Sequence, residues 1–177
     1  MAGLRQDVGM DSRLTRDLPD LASTEALGQA LARLLRPGDS ILLDGPLGAG
    51  KTALARALLR EACGNGDMEV PSPSYTLVQT YEGAGFPITH FDLWRLDGPE
   101  AIEELGWDEA RAGVVLVEWP DRLGMLAPAD ALRLTLELLL DGPGHDDPAA
   151  DPPRRVLIEG WPDRLPAGLG LSGPVHA

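Results

Sequence analysis

Basic residues are few in this chain, and lysine is almost absent. All but one of its 15 basic residues are arginine, and 28 acidic residues bring the formal net charge to −13. A protein that binds RNA or DNA by itself needs clustered cations that contact the phosphates. The excess of acidic residues therefore argues against direct binding to nucleic acid. The acidic surface serves either solubility or docking on a basic protein partner.

Cysteine and long apolar runs are also lacking. Cys63 is the single cysteine, which excludes an internal disulfide framework and a metal site built from several cysteines. No segment reaches the roughly 18 apolar residues of a membrane span. The first 20 residues carry charges throughout and do not resemble a signal peptide. We therefore expect a cytoplasmic protein that makes no membrane contact.

The single lysine lies in a complete phosphate-binding motif, G-x-x-x-x-G-K-S/T. The motif consists of Gly45, Pro46, Leu47, Gly48, Ala49, Gly50, Lys51 and Thr52. Its glycines let backbone N–H groups turn inward around an anion, and the helix that follows adds its free N-terminal donors. The pattern predicts that this loop binds nucleotide phosphates, that Lys51 neutralises the β and γ oxygens, and that Thr52 offers a hydroxyl to Mg²⁺.

The segments around this loop follow the order that the motif requires. An apolar run over 40–44 predicts a strand before the loop, and an alanine- and leucine-rich segment over 52–62 predicts a helix after it. The pattern indicates an α/β fold of the P-loop NTPase type, with a mainly parallel sheet flanked by helices and antiparallel additions at the C-terminal end. Further strands are predicted at 87–92, 113–118, 132–138 and 155–159.

Helix caps and chain ends are also predicted from local patterns. Ser23 or Thr24 is expected to cap a helix that runs to about Leu35, and Asp97 with Glu100 is a candidate capping box for a helix near 99–105. We divide the chain into a flexible N-terminal extension, a P-loop ATPase domain and a flexible C-terminal tail, at 1–19, 20–160 and 161–177.

A magnesium site would need a carboxylate at the end of a neighbouring strand. Glu118 follows the most apolar run and is the preferred metal ligand beside Thr52. Asp92 is expected to hold a metal-bound water or to orient the attacking water, or else to cap a turn. Glu159 is a third candidate, and its surroundings repeat those of Glu118 with one additional glycine. We interpret this repeat as coincidence or a small duplication and not as a second site.

Several other side chains have two open interpretations. Ser72 or Ser74 either presents a hydroxyl to the metal or the γ-phosphate, or belongs to an ordinary proline-bearing turn. His90 either makes a local hydrogen bond or acts as a base, and Trp119 either packs in the core or faces a partner. Guanine-specific GTPases read the base with a motif that contains a lysine, and the single lysine is already in the loop. ATP is therefore the expected nucleotide.

Four ordered motifs resemble those of the TsaE (YjeE) family, bacterial ATPases of the tRNA threonylcarbamoyladenosine pathway. The resemblance covers about residues 20–160. The motifs are the loop at 45–52, Ser-Pro-Ser-Tyr-Thr-Leu-Val at 72–78, His-Phe-Asp-Leu-Trp-Arg-Leu at 90–96 and Glu-Trp-Pro at 118–120.

The resemblance implies a small α/β ATPase that uses ATP and Mg²⁺ and works with a TsaB–TsaD heterodimer. TsaD would transfer the threonylcarbamoyl group to adenosine 37 of the tRNA, and ATP hydrolysis would reset the TsaB–TsaD complex between turnovers. The chain would then meet tRNA only through that complex. By the same resemblance, Lys51 and the loop amides bind phosphates, Thr52 and Glu118 hold Mg²⁺, Asp92 supports the metal or water, and Trp119 belongs to a functional Glu-Trp pair.

Three residues depart from the family pattern. Pro46 replaces the usual Asp and has no N–H to give to a phosphate, although this early loop position need not supply one. Ser74 replaces a threonine and keeps the hydroxyl. Trp94 replaces a tyrosine, so an indole N–H takes the place of a phenol. None of the three removes a charge that the expected mechanism needs.

Two other functions are compatible with a phosphate loop. A P-loop small-molecule kinase would add an arginine-bearing lid, for which Arg122, Arg154 and Arg155 are the available residues, although no compact arginine-rich segment is present. A binding module would hold ATP as a structural switch and never cleave it.

Overall fold

The apolar runs of the sequence form the strands of one mixed sheet. The computed structural model describes residues 13–139, 151–165 and 169. Within these residues the sheet has seven strands in the order β1-β7-β6-β2-β5-β4-β3. The strands are β1 Arg13–Leu18, β2 Ser40–Asp44, β3 Val78–Glu82, β4 Pro87–Asp92, β5 Val114–Glu118, β6 Leu132–Leu138 and β7 Arg154–Glu159.

In the part of the chain that the structure describes, four helices and a 3₁₀ segment cover the two faces of this sheet. The helices are α1 Leu21–Ala32, α2 Lys51–Ala62, α3 Pro99–Glu103 and α4 Trp107–Ala110, and the 3₁₀ segment is Pro120–Leu126. Among the described residues, no helix has the length and apolar character needed to cross a bilayer.

The centre of the sheet is parallel, as the sequence predicts. Strands β6, β2, β5 and β4 run in the same direction, whereas β7, β1 and β3 are antiparallel to their neighbours. The predicted fold is therefore confirmed, with one difference at its C-terminal end. The strands at 132–138 and 155–159 are the predicted antiparallel additions, but β6 runs parallel to β2 and is antiparallel only to β7.

Each face of the sheet has its own apolar core. Helices α1 and α2 cover one face, where Leu27 and Leu58 are buried among the side chains of β2, β5 and β6. On the other face, Phe91 and Trp107 pack edge to face with ring centroids 5.4 Å apart. Gly28 lets α1 and α2 approach closely, because a Cβ at this position would lie 2.6 Å from the carbonyl oxygen of Leu54.

The ends of the chain differ from the prediction of flexible extensions. Residues 13–18, expected to be frayed, form β1, which pairs along its length with β7 and buries Leu18 completely. Its mostly polar residues contribute main-chain hydrogen bonds at a sheet edge, which an apolar pattern does not reveal. In the predicted C-terminal tail, Trp161 and Leu165 pack against the core. Residues 1–12, 140–150, 166–168 and 170–177 lie outside the described part of the chain.

Two predicted helix caps are wrong. Helix α1 is capped by Asp20, whose Oδ1 accepts hydrogen bonds from the backbone N–H of Ser23 at 2.7 Å and from its hydroxyl at 2.6 Å. Ser23 thus donates to the cap instead of providing it. Helix α3 follows Gly98, which makes no side-chain cap, so the capping box of Asp97 and Glu100 does not form. At α1, the carboxylate of Asp20 accepts from the free N–H of the first turn in place of the predicted Ser23 or Thr24 hydroxyl.

Candidate functional site

The phosphate loop connects β2 to α2 at the carboxyl edge of the parallel strands. Gly45, Gly48 and Gly50 have positive φ angles of 132°, 80° and 100°. At Gly45 a side chain is also excluded by space, because a Cβ would lie 2.3 Å from the carbonyl oxygen of Leu136. The glycines therefore give the loop the backbone shape that directs N–H groups inward. Strand β2, the loop and α2 have the arrangement that the motif predicts.

Lys51 is folded back over its own loop. Its side chain is buried, and Nζ donates to the carbonyl oxygens of Gly45 at 2.6 Å and Pro46 at 2.9 Å. The same ammonium group lies 3.8 Å from the centre of the Trp119 ring. Burial lowers the pKa of Lys51, and the nearby carboxylates, led by Glu118, oppose that shift. The hydrogen-bond partners of this ammonium group are thus two uncharged carbonyl oxygens of the loop.

Glu118 is held at both carboxylate oxygens. The Thr52 hydroxyl donates to Oε2 at 2.9 Å, and His90 Nε2 is 3.0 Å from Oε1. When Glu118 is ionised its carboxylate only accepts hydrogen bonds, so His90 then donates from Nε2. Glu118 and His90 are both buried. Of the two interpretations of His90, the structure therefore shows the hydrogen bond, and its partner is the predicted metal ligand.

Asp92 lies directly opposite Glu118 in the pairing of β4 with β5. Its Oδ2 accepts hydrogen bonds from the hydroxyls of Ser72 at 2.9 Å and Ser74 at 3.0 Å. Its Oδ1 accepts from the backbone N–H of Trp94 at 3.1 Å. Asp92 thus caps a turn and also faces the site, so the two interpretations of this residue do not exclude each other. Both serines contact it, which places the segment at 72–74 beside the phosphate loop.

Two tryptophans form one wall of the site. Trp119 has a positive φ of 62° and packs against Trp94, with ring centroids 4.3 Å apart. Trp94 is 48% exposed, so this wall reaches the surface. A cavity of about 250 Å³ lies between the wall and the phosphate loop. The predicted site residues that line it are Leu47, Gly48, Gly50, Lys51, Thr52, Ser74, Asp92, Glu118 and Trp119.

Glu159 and Arg95 lie apart from this cavity. Strand β7 is antiparallel to β6, so Glu159 is at the opposite edge of the sheet, where it pairs with Arg13 at 3.1 Å. Arg95 stacks over the exposed ring of Tyr75 at 4.5 Å. The direction of β7 thus keeps Glu159 away from the phosphate loop, whereas Glu118 lines the cavity.

The repeated Trp-Pro-Asp-Arg-Leu segment has a structural counterpart. Trp119 and Trp161 each follow the end of a strand and have positive φ angles of 62° and 46°, and a proline-led turn comes next. Trp119 contacts Lys51, whereas Trp161 lies 3.8 Å from the guanidinium of Arg164. The two copies therefore share a tryptophan with positive φ followed by a proline, and of the two tryptophans Trp119 is the one that lines the cavity at the phosphate loop.

A divalent cation fits the oxygen atoms at this edge. Within the described residues there is no cluster of three or more His, Cys, Asp or Glu side chains that would hold a metal by themselves. Mg²⁺ in nucleotide sites usually takes only one or two protein oxygens and completes its shell with water and phosphate. The adjacent oxygens of Thr52 and Glu118, 2.9 Å apart, meet that requirement.

Comparison with known proteins gives the family. A family model described as "Threonylcarbamoyl adenosine biosynthesis protein TsaE" matches residues 18–141. The chain belongs to the TsaE family. The resemblance predicted from the four motifs is therefore confirmed, and so is the involvement of the family in tRNA threonylcarbamoyladenosine biosynthesis.

Individual relatives agree with this assignment. The TsaE protein of Rickettsia felis is 41% identical over 117 residues, which is 66% of this chain and 68% of the relative. TsaE of Haemophilus influenzae is 39% identical over 127 residues, 67% of this chain and 79% of the relative. The crystal structure of Bacillus subtilis YdiB superposes with a TM-score of 0.65 at 25% identity, over 85% of this chain and 87% of that protein.

Proposed function

We propose that this TsaE-family chain hydrolyses ATP during formation of threonylcarbamoyladenosine at tRNA position 37. In this proposal the energy of hydrolysis resets a TsaB–TsaD complex, and the chain does not itself transfer the threonylcarbamoyl group. The observation that carries the proposal is the convergence of Lys51, Thr52, Asp92 and Glu118 around one cavity at the phosphate loop.

Each of these residues has a role that its contacts support. The loop amides and Lys51 bind the phosphates, and Lys51 exchanges the carbonyls of Gly45 and Pro46 for phosphate oxygens. Thr52 and Glu118 hold Mg²⁺, which supplies positive charge against the phosphate oxygens when it is bound. Asp92, fixed by two serine hydroxyls, orients water beside the phosphates.

Dependence on partner proteins is supported by the surface around the site. The mouth of the cavity carries Leu47, which is 80% exposed, and the half-exposed ring of Trp94, and Tyr75 is 84% exposed on the neighbouring segment. Large apolar side chains concentrated at a site entrance are typical of a surface that another protein covers. The expected partner is the TsaB–TsaD heterodimer, with tRNA contacted only through it.

The kinase alternative finds little support in the positions of its lid arginines. Arg154 is buried beneath the phosphate loop, and Arg155 pairs with Asp17 on β1. Arg122 lies 4.0 Å from the carboxylate of its neighbour Asp121. These three guanidinium groups do not converge over the cavity, as a kinase lid would require.

The test is ATP turnover by the chain alone and with a purified TsaB–TsaD pair. We expect slow hydrolysis that rises when the pair is added, and Lys51→Met should remove it in both cases because the phosphates lose their cation. Arg33→Met, at the exposed residue that follows α1, is the matched control. Equal turnover by the Lys51→Met and unaltered chains would refute the site, and phosphate transfer to a metabolite would favour the kinase.

A further inference from the structure

Arg154 reaches the phosphate loop from a strand that lies beyond the family match. The match ends at residue 141, whereas Arg154 begins β7. Because β7 is antiparallel to β6, Arg154 pairs with Leu138 at the edge of the sheet from which the phosphate loop projects. A C-terminal strand thus contributes a side chain to the nucleotide end of the molecule.

The side chain of Arg154 lies beside Gly50 of the loop. A Cβ placed on Gly50 would lie 3.4 Å from both Cδ and Nη1 of Arg154. Gly50 is the residue before α2, has a φ of 100°, and immediately precedes Lys51. The side chain of Arg154 therefore borders Gly50 at the point where the loop becomes a helix.

Arg154 is itself held by two separate parts of the chain. Its Nη1 donates to the Thr24 hydroxyl on α1 at 3.0 Å, and its Nη2 donates to Asp151 at 2.6 Å. The side chain is 3% exposed, and its Nε has no hydrogen-bond partner among the described residues. A guanidinium group that is buried with one donor unsatisfied is costly to keep, which argues against a purely incidental surface pair.

We propose that Arg154 is a positioning residue of the phosphate site. It fixes Gly50 against the sheet, so that the loop amides and the first turn of α2 already have the geometry that binds phosphate. Preorganised donors bind more tightly because the loop loses less freedom when the ligand arrives. This inference rests on the proposed function, since it assumes that the loop binds a nucleotide.

Binding of Mg-ADP, measured by calorimetry, tests the inference. Arg154→Met should weaken binding by about tenfold, the effect of losing one hydrogen-bonded charged group. Arg155→Met is the matched control, because it removes the neighbouring arginine, which pairs with Asp17 at the exposed edge. The Arg155→Met chain should bind Mg-ADP as the unaltered chain does.

A second variant keeps the test decisive if Arg154→Met does not fold. Thr24→Val preserves the shape of the threonine and removes the acceptor for Nη1, together with the hydrogen bond that the hydroxyl donates to the Asp20 carbonyl oxygen at 3.2 Å. Binding should weaken by about threefold. Arg154→Lys keeps the charge but cannot contact Thr24 and Asp151 together, and it should remain impaired. Full recovery with lysine would show that charge alone matters and would overturn the positioning role.

Thermal unfolding of the same chains separates positioning from stability. A lower unfolding temperature with unchanged affinity in the folded Arg154→Met and Thr24→Val chains would overturn the inference and leave the proposed function intact. Failure of the unaltered chain to bind Mg-ADP would overturn both.

Discussion

Thr52 and Glu118 share a hydrogen bond of 2.9 Å although 66 residues separate them in the chain. Thr52 lies in the first turn of α2, and Glu118 is the last residue of β5, the strand beside β2. In a parallel sheet these two positions lie at the same end of adjacent strands. The fold alone therefore places Thr52 of the loop beside Glu118, the preferred metal ligand.

Removal of the Glu118 charge should separate metal binding from phosphate binding. Glu118→Gln keeps the size of the side chain but leaves a weak ligand for Mg²⁺. We expect ADP affinity without Mg²⁺ to stay near the value of the unaltered chain, and the gain on adding Mg²⁺ to fall by more than about tenfold. Calorimetric titrations with Mg²⁺ and with a chelator measure both quantities. Glu159→Gln, at the opposite edge, is the control, and an undiminished gain in the Glu118→Gln chain would contradict the metal assignment.

His90 should also affect the gain in ADP affinity on adding Mg²⁺, through its contact with Glu118. In His90→Leu the buried Oε1 of Glu118 loses its donor, so the carboxylate is less well oriented, and the Mg²⁺-dependent gain in ADP affinity should fall by about tenfold. His90→Gln carries an amide N–H that can replace Nε2, and part of the gain should return. Equal losses in the leucine and glutamine chains would count against an orienting role.

Gly28 should resist any side chain, because α1 and α2 meet there. In Gly28→Ala the new Cβ would lie 2.6 Å from the Leu54 carbonyl oxygen, a backbone atom that cannot simply rotate away. Overpacking of this kind costs about 1–3 kcal/mol, while alanine returns up to about 1 kcal/mol of helix propensity. We expect a net loss in the free energy of unfolding, measured with urea. Gly66→Ala, where no atom lies within 4 Å of the added Cβ, should change it little.

The pairing of β1 with β7 should add a pH-dependent contribution to stability. The hydrogen bond from Arg155 lowers the pKa of Asp17. A carboxyl whose pKa is lower in the folded than in the unfolded state stabilises the fold above its unfolded pKa, and this contribution is lost as the pH falls through the folded value. The pair is exposed, so its contribution should be below about 1 kcal/mol.

Urea unfolding of Asp17→Asn and the unaltered chain measures this contribution. The unaltered chain should be the more stable near neutral pH, and the difference should shrink as the pH falls below the unfolded pKa of aspartate and through the lower folded pKa. A difference that persists unchanged at low pH would mean that the charge of Asp17 is not its source.

The sequence predicts well the features that depend on a local pattern. It also predicts those that follow from a general property of parallel sheets, in which the carboxyl ends of neighbouring strands lie at the same end of the sheet. The loop, β2 and α2 follow from a contiguous motif, and Asp92 and Glu118 meet because each ends a parallel strand. The direction of a strand is not local information. Glu159 has the same sequence surroundings as Glu118, yet the reversal of β7 places it at the other edge.

Other features depend on partners that are distant in the chain. The polar residues of β1 give no apolar signal, and the strand forms because β7 offers an unpaired edge. The contact of Trp119 with Lys51 depends on a backbone turn with positive φ, which a bulky residue seldom adopts and which no propensity predicts. The position of Arg154 beside Gly50 depends on the register of β7 against β6 and of β6 against β2, which the sequence does not reveal.

The contacts of Lys51 also bear on how long a nucleotide would stay. Two carbonyl oxygens and an indole face already accommodate this ammonium group. Each phosphate contact that Lys51 gains is therefore offset by a contact that it gives up, so the net attraction is smaller than for an unsatisfied cation. If the loop binds a nucleotide as proposed, this replacement of contacts reduces the affinity that Lys51 contributes to the complex.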